Sequence, residues 1–187
     1  MTSPQLLEKL KTLKAYKKER LQLGIAAVNY NLLANLIAYC NPQSGVSHQA
    51  CWVLEQSFLE HEAACLEHLY AISELYTLDI NSSGNRSLSK MASIITKKYY
   101  SKKPNPYKEL LTQPMRERML DGCFQMLLDD GDRTANLAFA SRAVYELGKE
   151  FDWVHDALKV NIQEHLERNP HTGFRACGGA ILAKIAG

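Results

Sequence analysis

The chain lacks the features that mark fibrous, disordered or membrane-spanning proteins. Ten glycines and six prolines among 187 residues are too few for a collagen-like or low-complexity sequence. The most apolar stretch, residues 21–40, is interrupted by Asn29, Asn31 and Asn35, whereas a membrane-spanning helix needs about 20 consecutive apolar residues. The sequence therefore predicts one globular domain over residues 1–187, with no membrane partner.

A large excess of charge of one sign is also absent. The chain has 22 Lys and Arg residues against 20 Asp and Glu residues, a net charge of +2. Its pI of 8.2 lies below the value of about 9 that is typical of dedicated nucleic-acid-binding domains. This balance favours a partner other than nucleic acid, although a local basic surface stays open.

Cysteine usage does not fit a disulfide framework. The five cysteines lie among apolar neighbours at positions 40, 51, 65, 123 and 177, and their number is odd. The N-terminal segment carries Glu8 and no uninterrupted apolar run, so no secretory leader is expected. Buried free thiols in a reducing compartment follow, and we expect a cytoplasmic location.

Strand signals are missing, and helix signals recur along the chain. No segment sustains the alternation of apolar and polar residues that a strand requires. Apolar residues instead recur at helical spacing, as in Leu88, Met91, Ile95 and Tyr99. Single long helices are predicted over residues 46–58 and 62–76, with a loop over residues 81–85. The pattern predicts an all-α protein.

A helix-start signal returns at a regular distance. Small polar residues followed by two amphipathic runs begin near Val46, Gly84, Arg133 and Thr172, and an insert near residues 101–110 lengthens the second interval. Periods of about 40 to 47 residues built from helix pairs are typical of HEAT and armadillo repeats. The predicted fold is a HEAT-like α-α superhelix, a solenoid of stacked antiparallel helix pairs. Within its last helix, the pair Gly178-Gly179 predicts a close packing contact.

Two segments carry a resemblance to a known class. Residues 48–55 (HQACWVLE) are followed by Arg86 and Lys90, and residues 174–176 (FRA) lead into Ile181 and Leu182. Both resemble HEAT-like repeats, in which a helix with the pattern Ala-x-Trp-Val-Leu is followed by a helix that begins with an arginine. Over most of residues 20–187 the chain resembles a group of small α-solenoid proteins of unknown role.

Some members of that group carry the label adenylosuccinate lyase, which this sequence does not support. Those lyases resemble long helical bundles more than twice this length, with a mobile Ser-Ser-x-Met-Pro-x-Lys-x-Asn loop. The nearest string here, residues 87–91 (SLSKM), lacks the proline, the second lysine and the asparagine. The resemblance implies a solenoid of unknown role rather than a catalyst.

Three patterns could carry metal or acid–base chemistry. His61, Cys65 and His68 would share one face of a continuous helix and could ligate zinc, but no fourth ligand is evident, although Cys51 on the partner helix could approach. The favoured interpretation is a core cysteine between two histidines. Asp129, Asp130 and Asp132 lack the spacing of a calcium loop. Acid–base candidates do not pair by spacing; they are Glu55, Glu74, Asp121 and His155. We expect no metal, no cofactor and no enzyme activity.

Basic residues form the candidate partner-binding surface. Its members are Lys97, Lys98, Lys102, Lys103, Arg86 and Arg175. Lysines interleaved with aromatic residues can track a phosphate backbone and stack bases, and the lysine cluster lies beside Tyr99, Tyr100 and Tyr107. The favoured interpretation is a solvated helix end followed by an insert loop, where lysines also favour the helix dipole. A second basic run, Lys11, Lys14, Lys17, Lys18 and Arg20, is interpreted as the solvated face of an N-terminal helix.

The sequence therefore predicts a protein- or peptide-binding solenoid scaffold. This follows from the repeat period and from the lack of a catalytic constellation, because solenoids present extended concave surfaces to partners. The alternative function is a nucleic-acid-binding HEAT-like module. That alternative requires Lys and Arg side chains from several repeats to line one concave face.

Overall fold

The computed structural model describes residues 1–129, 134–168 and 172–187. Within these ranges the chain forms twelve α-helices and no strand, which confirms the all-α prediction. The helices are α1 (Ser3–Thr12), α2 (Lys17–Asn29), α3 (Leu33–Tyr39), α4 (Ser47–Glu60), α5 (Glu62–Leu66), α6 (Leu69–Glu74), α7 (Ser82–Tyr99), α8 (Tyr107–Leu110), α9 (Gln113–Leu128), α10 (Thr134–Leu147), α11 (Val154–Arg168) and α12 (Thr172–Ala186). Short 3-10 turns occur at Pro42–Ser44 and Leu75–Thr77.

Helices begin close to the predicted repeat starts. They start at Ser47, Ser82 and Thr172, within two residues of the predicted positions. The start predicted near Arg133 lies outside the described residues, and α10 begins with Thr134 directly after it. The predicted turns at residues 131–132 and 169–170 also lie outside the described residues.

The loop predicted over residues 81–85 is wrong, because α7 already begins at Ser82. Asn81 caps this helix: its side-chain oxygen accepts hydrogen bonds from the backbone N–H groups of Ser83 and Gly84, at 3.1 and 3.0 Å. A cluster of small polar residues in the sequence is typical of a loop, but asparagine is also among the preferred N-cap residues of helices. The cap decides where the helix starts.

The single helix predicted over residues 62–76 is also wrong. The chain forms α5 and α6 with a turn between them, where the N–H of His68 donates to the carbonyl oxygen of Cys65 at 3.1 Å. Cys65, Leu69 and Ile72 are all buried across this break. A turn of this kind preserves the spacing of buried residues, so apolar periodicity does not detect it.

The predicted insert near residues 101–110 is only partly a surface loop. Its second half is α8, and the Tyr107 side chain is buried within the core. The Tyr107 hydroxyl donates a hydrogen bond of 2.6 Å to Glu62 at the start of α5. The Tyr107 side chain therefore fastens the insert to α5, and the Asn105 side chain fastens it to α7 through a hydrogen bond of 2.8 Å to the carbonyl oxygen of Lys98.

Successive helices are neighbours in a defined order. α2 packs on α4, α4 on α7, α7 on α10 and α10 on α12. The intervening helices pack against this series: α6 contacts α9, and both α9 and α11 contact α10. The most extensive contact joins α7 to α10. Buried apolar side chains form one continuous core from Leu6 to Ile181.

Two further features match the sequence. All five cysteines are buried and free. In the part of the chain that the structure describes, no helix combines the length and the apolar character needed to cross a bilayer.

Of the paired glycines in α12, Gly178 lies against α11, since an added Cβ would lie 2.9 Å from the Ile162 Cγ2 atom. Gly179 faces open space, so the predicted packing contact holds for one of the two.

Close helix packing predicts a stability difference between two mid-helix glycines. A Cβ at Gly122 in α9 would lie 2.5 Å from the Tyr76 carbonyl oxygen, a backbone atom that cannot move cheaply. We expect Gly122→Ala to lower the free energy of unfolding by about 2 kcal/mol, because overpacking costs more than helix propensity returns. Gly179→Ala is the matched control and should be neutral or stabilising by about 0.5 to 1 kcal/mol. Urea denaturation followed by circular dichroism measures both, and equal stabilities would contradict the packing described.

Candidate functional site

A groove of about 940 Å³ lies where α7, α10 and α12 meet. Each helix contributes residues at helical spacing: Ile94 and Lys97 from α7, Phe139 and Arg142 from α10, and a series from Gly173 to Lys184 along α12. Cys177 and Ile181, both buried, form part of its apolar lining. We call this feature the basic groove.

The basic groove carries a strong excess of positive charge. Six of its lining residues are cationic, and among the described lining residues only Glu146 carries a carboxylate. The cations are Lys90, Lys97, Lys98, Lys103, Arg142 and Lys184. The net charge of the whole chain is only +2, yet positive charge is concentrated in this groove. A cleft lined by one sign of charge attracts ligands of the opposite sign.

Two of the six cations form ion pairs with glutamates of the neighbouring helices α4 and α5. The Lys90 ammonium lies 2.7 Å from the buried Glu55 carboxylate, which also accepts a 2.6 Å hydrogen bond from Ser87. The Lys98 ammonium donates to Glu62 at 2.6 Å. These pairs tie α7 to α4 and α5 and hold the helix wall in position.

The other four cations form no ion pair with any described residue. Two of them lie over aromatic rings: the Arg142 guanidinium is 5.7 Å from the Phe139 ring centre, and the Lys184 ammonium is 5.5 Å from that of Tyr145. Such cation–π contacts hold a charge in place while leaving its hydrogen-bond donors available. Glu146 is itself paired with Lys149.

The predicted surface residues divide between the groove and other places. Lys97, Lys98 and Lys103 line it, whereas Lys102 is exposed outside its lining. Arg86 instead approaches Glu55, at 3.9 Å. Arg175 is exposed on α12 outside the lining. The structure thus brings three of the six together.

The aromatic residues predicted to stack bases have structural contacts instead. Tyr107 is buried, Tyr99 lies under the Arg116 guanidinium at 4.5 Å, and the Tyr100 hydroxyl donates to Glu150 at 2.6 Å. Burial and the Glu150 carboxylate raise the pKa of Tyr100 well above its ordinary value. These contacts support the end of α7.

A charged cluster anchors this end of α7. Arg116 is almost fully buried and donates two hydrogen bonds of 2.7 Å to Glu150. These bonds lower the pKa of the Glu150 carboxyl against the opposing effect of burial, and the bond from Tyr100 adds to them. For Glu62, partial burial alone would raise the pKa, but hydrogen bonds from Lys98 and Tyr107 outweigh it and the pKa is lowered.

Sequence reasoning missed Arg142, Lys184 and Phe139. Arg142 and Phe139 lie one helical turn apart in α10, and Lys184 lies in α12, far from the lysine cluster in sequence. The positions of these residues in the sequence indicate only an ordinary solvated helix face. Only the packing of α7 and α12 on either side of α10 brings them to the same surface.

The metal and acid–base candidates do not assemble into a site. Among the described residues no three His, Cys, Asp or Glu side chains are grouped so that they could hold a metal ion. Cys65 is buried, which raises the pKa of its thiol to about 12, and Cys51 lies in the core. Of the proposed calcium residues, Asp130 and Asp132 lie outside the described residues.

The four acid–base candidates lie on four different helices. Glu55 is engaged with Ser87 and Lys90, and His155 Nε2 lies 2.9 Å from the carbonyl oxygen of Tyr145. Glu74 and Asp121 are exposed on α6 and α9. No hydrogen bond joins any two of these four described residues, so the expectation that the chain is not an enzyme stays a prediction.

A second cavity, of about 600 Å³, has the opposite character. It lies between the start of α7 and α9, and its lining includes Asp79, Asp121 and Asp129 together with Tyr76 and Gly122. Both cavities also have apolar lining residues, so they differ chiefly in the sign of their charge and in the helices that line them.

Comparison with known proteins identified no relative of this chain. No protein-family model, no curated protein and no solved structure matches this chain. The resemblance to small HEAT-like proteins stays a prediction from the sequence.

The Arg116–Glu150 pair predicts a specific dependence of stability on pH. Because the folded pKa of Glu150 is lowered, its contribution is present above the ordinary carboxyl pKa and is lost as the pH falls through the folded value. We expect Glu150→Gln to lower the free energy of unfolding at pH 7 by about 2 kcal/mol, since the buried Arg116 loses a charged partner. The difference from the unmodified chain should narrow below pH of about 4.5.

Urea titrations at a series of pH values measure this effect. The exposed Glu164 in α11 supplies the control, because Glu164→Gln should leave the stability within about 0.5 kcal/mol at every pH. A Glu150→Gln deficit that stayed constant down to pH of about 2 would show that the charge of Glu150 contributes nothing.

Proposed function

We propose that this chain is a non-catalytic binding module that holds an acidic protein segment in the basic groove. The observation that supports the proposal is the composition of the groove: four cations without an ion pair among the described residues surround an apolar lining. Charge attracts and orients an acidic partner, and apolar contact supplies affinity. The non-catalytic part of the proposal rests on the sequence.

The proposal includes a HEAT-like solenoid arrangement of the helices. Its support is the order of contacts, in which α4, α7, α10 and α12 each pack on the next member of the series. In such an arrangement one face of a helix series forms an extended surface that suits a long partner. The basic groove lies along three members of this series. A cytoplasmic location belongs to the same proposal, supported by the five free thiols.

Nucleic-acid binding is the second candidate, and the excess of cations in the groove favours it. Lysine and arginine side chains from three helices meet there, as this alternative requires. Two observations favour an acidic protein instead. Tyr99, Tyr100 and Tyr107 are occupied by structural contacts, and the groove is lined by aliphatic as well as cationic side chains, which phosphate contacts do not use.

A charge-reversal series tests the proposal. The groove variant combines Lys97→Glu, Arg142→Glu and Lys184→Glu, which are exposed positions. The probe is fluorescently labelled poly-L-glutamate, and anisotropy measures its binding. We expect the groove variant to bind at least about tenfold more weakly, because it loses three charge pairs that each contribute about 0.5 kcal/mol and adds repulsion.

The control variant carries the same change in net charge at a distance from the groove. Lys14→Glu, Lys17→Glu and Lys18→Glu alter exposed lysines near the start of α2, and this variant should bind within about threefold of the unmodified chain. Equal losses in the two variants, or no binding of poly-L-glutamate, would overturn the proposal. Tighter binding of duplex DNA or single-stranded RNA that is lost in the groove variant and falls log-linearly with salt would establish the second candidate.

A further inference from the structure

The walls of the basic groove limit the shape of what it can hold. The lining runs from Lys90 to Ser101 along α7 and just past its end, and from Gly173 to Lys184 along α12. At 1.5 Å per residue each wall extends about 16 Å. This length corresponds to about three turns of an α-helix.

The backbone of the groove offers a ligand few hydrogen-bonding partners. Its walls are formed by α7, α10 and α12, and outside the first and last turns the backbone N–H and C=O groups of a helix bond to each other. Part of the inner surface is apolar, with Ile94, Phe139 and Ile181 among its residues. An extended peptide laid on this surface would leave its own backbone groups unsatisfied, at a cost in free energy for each group. A helical peptide satisfies its backbone internally.

The charges lie where they would flank such a helix. Lys97 and Lys103 are exposed on the α7 side, Lys184 on the α12 side, and Arg142 on α10. An apolar stripe on a bound helix would contact Ile94 and Phe139, while carboxylates beside that stripe would reach the four cations. Helices that bind in grooves between helices use apolar residues at spacings of three and four in this way.

We propose that the basic groove binds an amphipathic α-helix of about three turns, with apolar residues on one face and Asp or Glu on both flanks. This inference rests on the proposed function and adds the conformation and the residue pattern of the ligand. The ligand is a segment of a protein, since its fit depends on an apolar stripe that nucleic acid does not have.

Three labelled peptides of about 16 residues test the inference, a length at which an isolated helix begins to be stable. All carry the same number of glutamates. The first places leucines on one helical face, the second has the same composition in an order that scatters the leucines, and the third replaces every leucine by serine. Anisotropy should show the first peptide binding at least about tenfold more tightly than the others, because it alone buries apolar area and charge together.

Two groove variants and one control locate the contact. Ile94→Ala and Phe139→Ala change side chains that are only partly buried, so the fold should persist, as circular dichroism can check. Each should weaken binding of the first peptide at least about fivefold through lost apolar contact. Val160→Ala alters an exposed apolar residue on α11 and should change binding less than about twofold.

The outcomes separate the two levels of the proposal. Equal binding of all three peptides, lost in the charge-reversed groove variant, would overturn the helix inference and leave the proposed function standing. Preferred binding of the first peptide that Ile94→Ala and Phe139→Ala leave unchanged would also overturn it. If neither the three peptides nor poly-L-glutamate bound, both the helix inference and the proposed function would be overturned. The same would follow if only single-stranded RNA bound and its binding depended on the groove.

Discussion

The contact between α7 and α10 is the interaction on which the rest of the structure depends. Ala92 and Ile95 of α7 and Ala140 and Val144 of α10 are fully buried, and the small residues let the two helices approach closely. The Asn136 side chain donates a hydrogen bond of 2.8 Å to the carbonyl oxygen of Ser82 and fixes their relative position. The basic groove exists because α10 is held between α7 on one side and α12 on the other.

Paired charges behind the groove give it a defined edge. Glu55 and Glu62 belong to α4 and α5, and each neutralises one lysine of α7. A carboxylate as buried as that of Glu55 requires such partners, because an isolated buried charge is costly. The pairs therefore serve the fold, and the four remaining cations of the groove have no ion pair with any described residue. This division explains how a chain with a net charge near zero can present a basic surface.

The residue pattern predicted the helices well and their interruptions poorly. Apolar spacing correctly marked α7 through Leu88, Met91 and Ile95, because those side chains are buried where the helix meets its neighbours. The break between α5 and α6 was missed because Cys65 and Leu69 stay buried on both sides of it. Tyr107 was assigned to a surface insert, since nothing in its local sequence indicates a buried hydrogen bond to Glu62. Of the groove, the cluster Lys97, Lys98 and Lys103 was predicted, and Arg142 and Lys184 were not.

The amino-acid sequence by itself determined the all-helical class, the free buried cysteines and the starts of three helices near the predicted repeat starts. Those properties depend on residues close together in the chain, such as an asparagine cap or a stripe at helical spacing. The tertiary structure alone decided which lysines are neutralised, which tyrosines are buried, and which cations share one surface. Ion pairs and grooves join side chains tens of residues apart, as Lys98 and Glu62 show, and their geometry follows from how helices pack rather than from spacing along the chain.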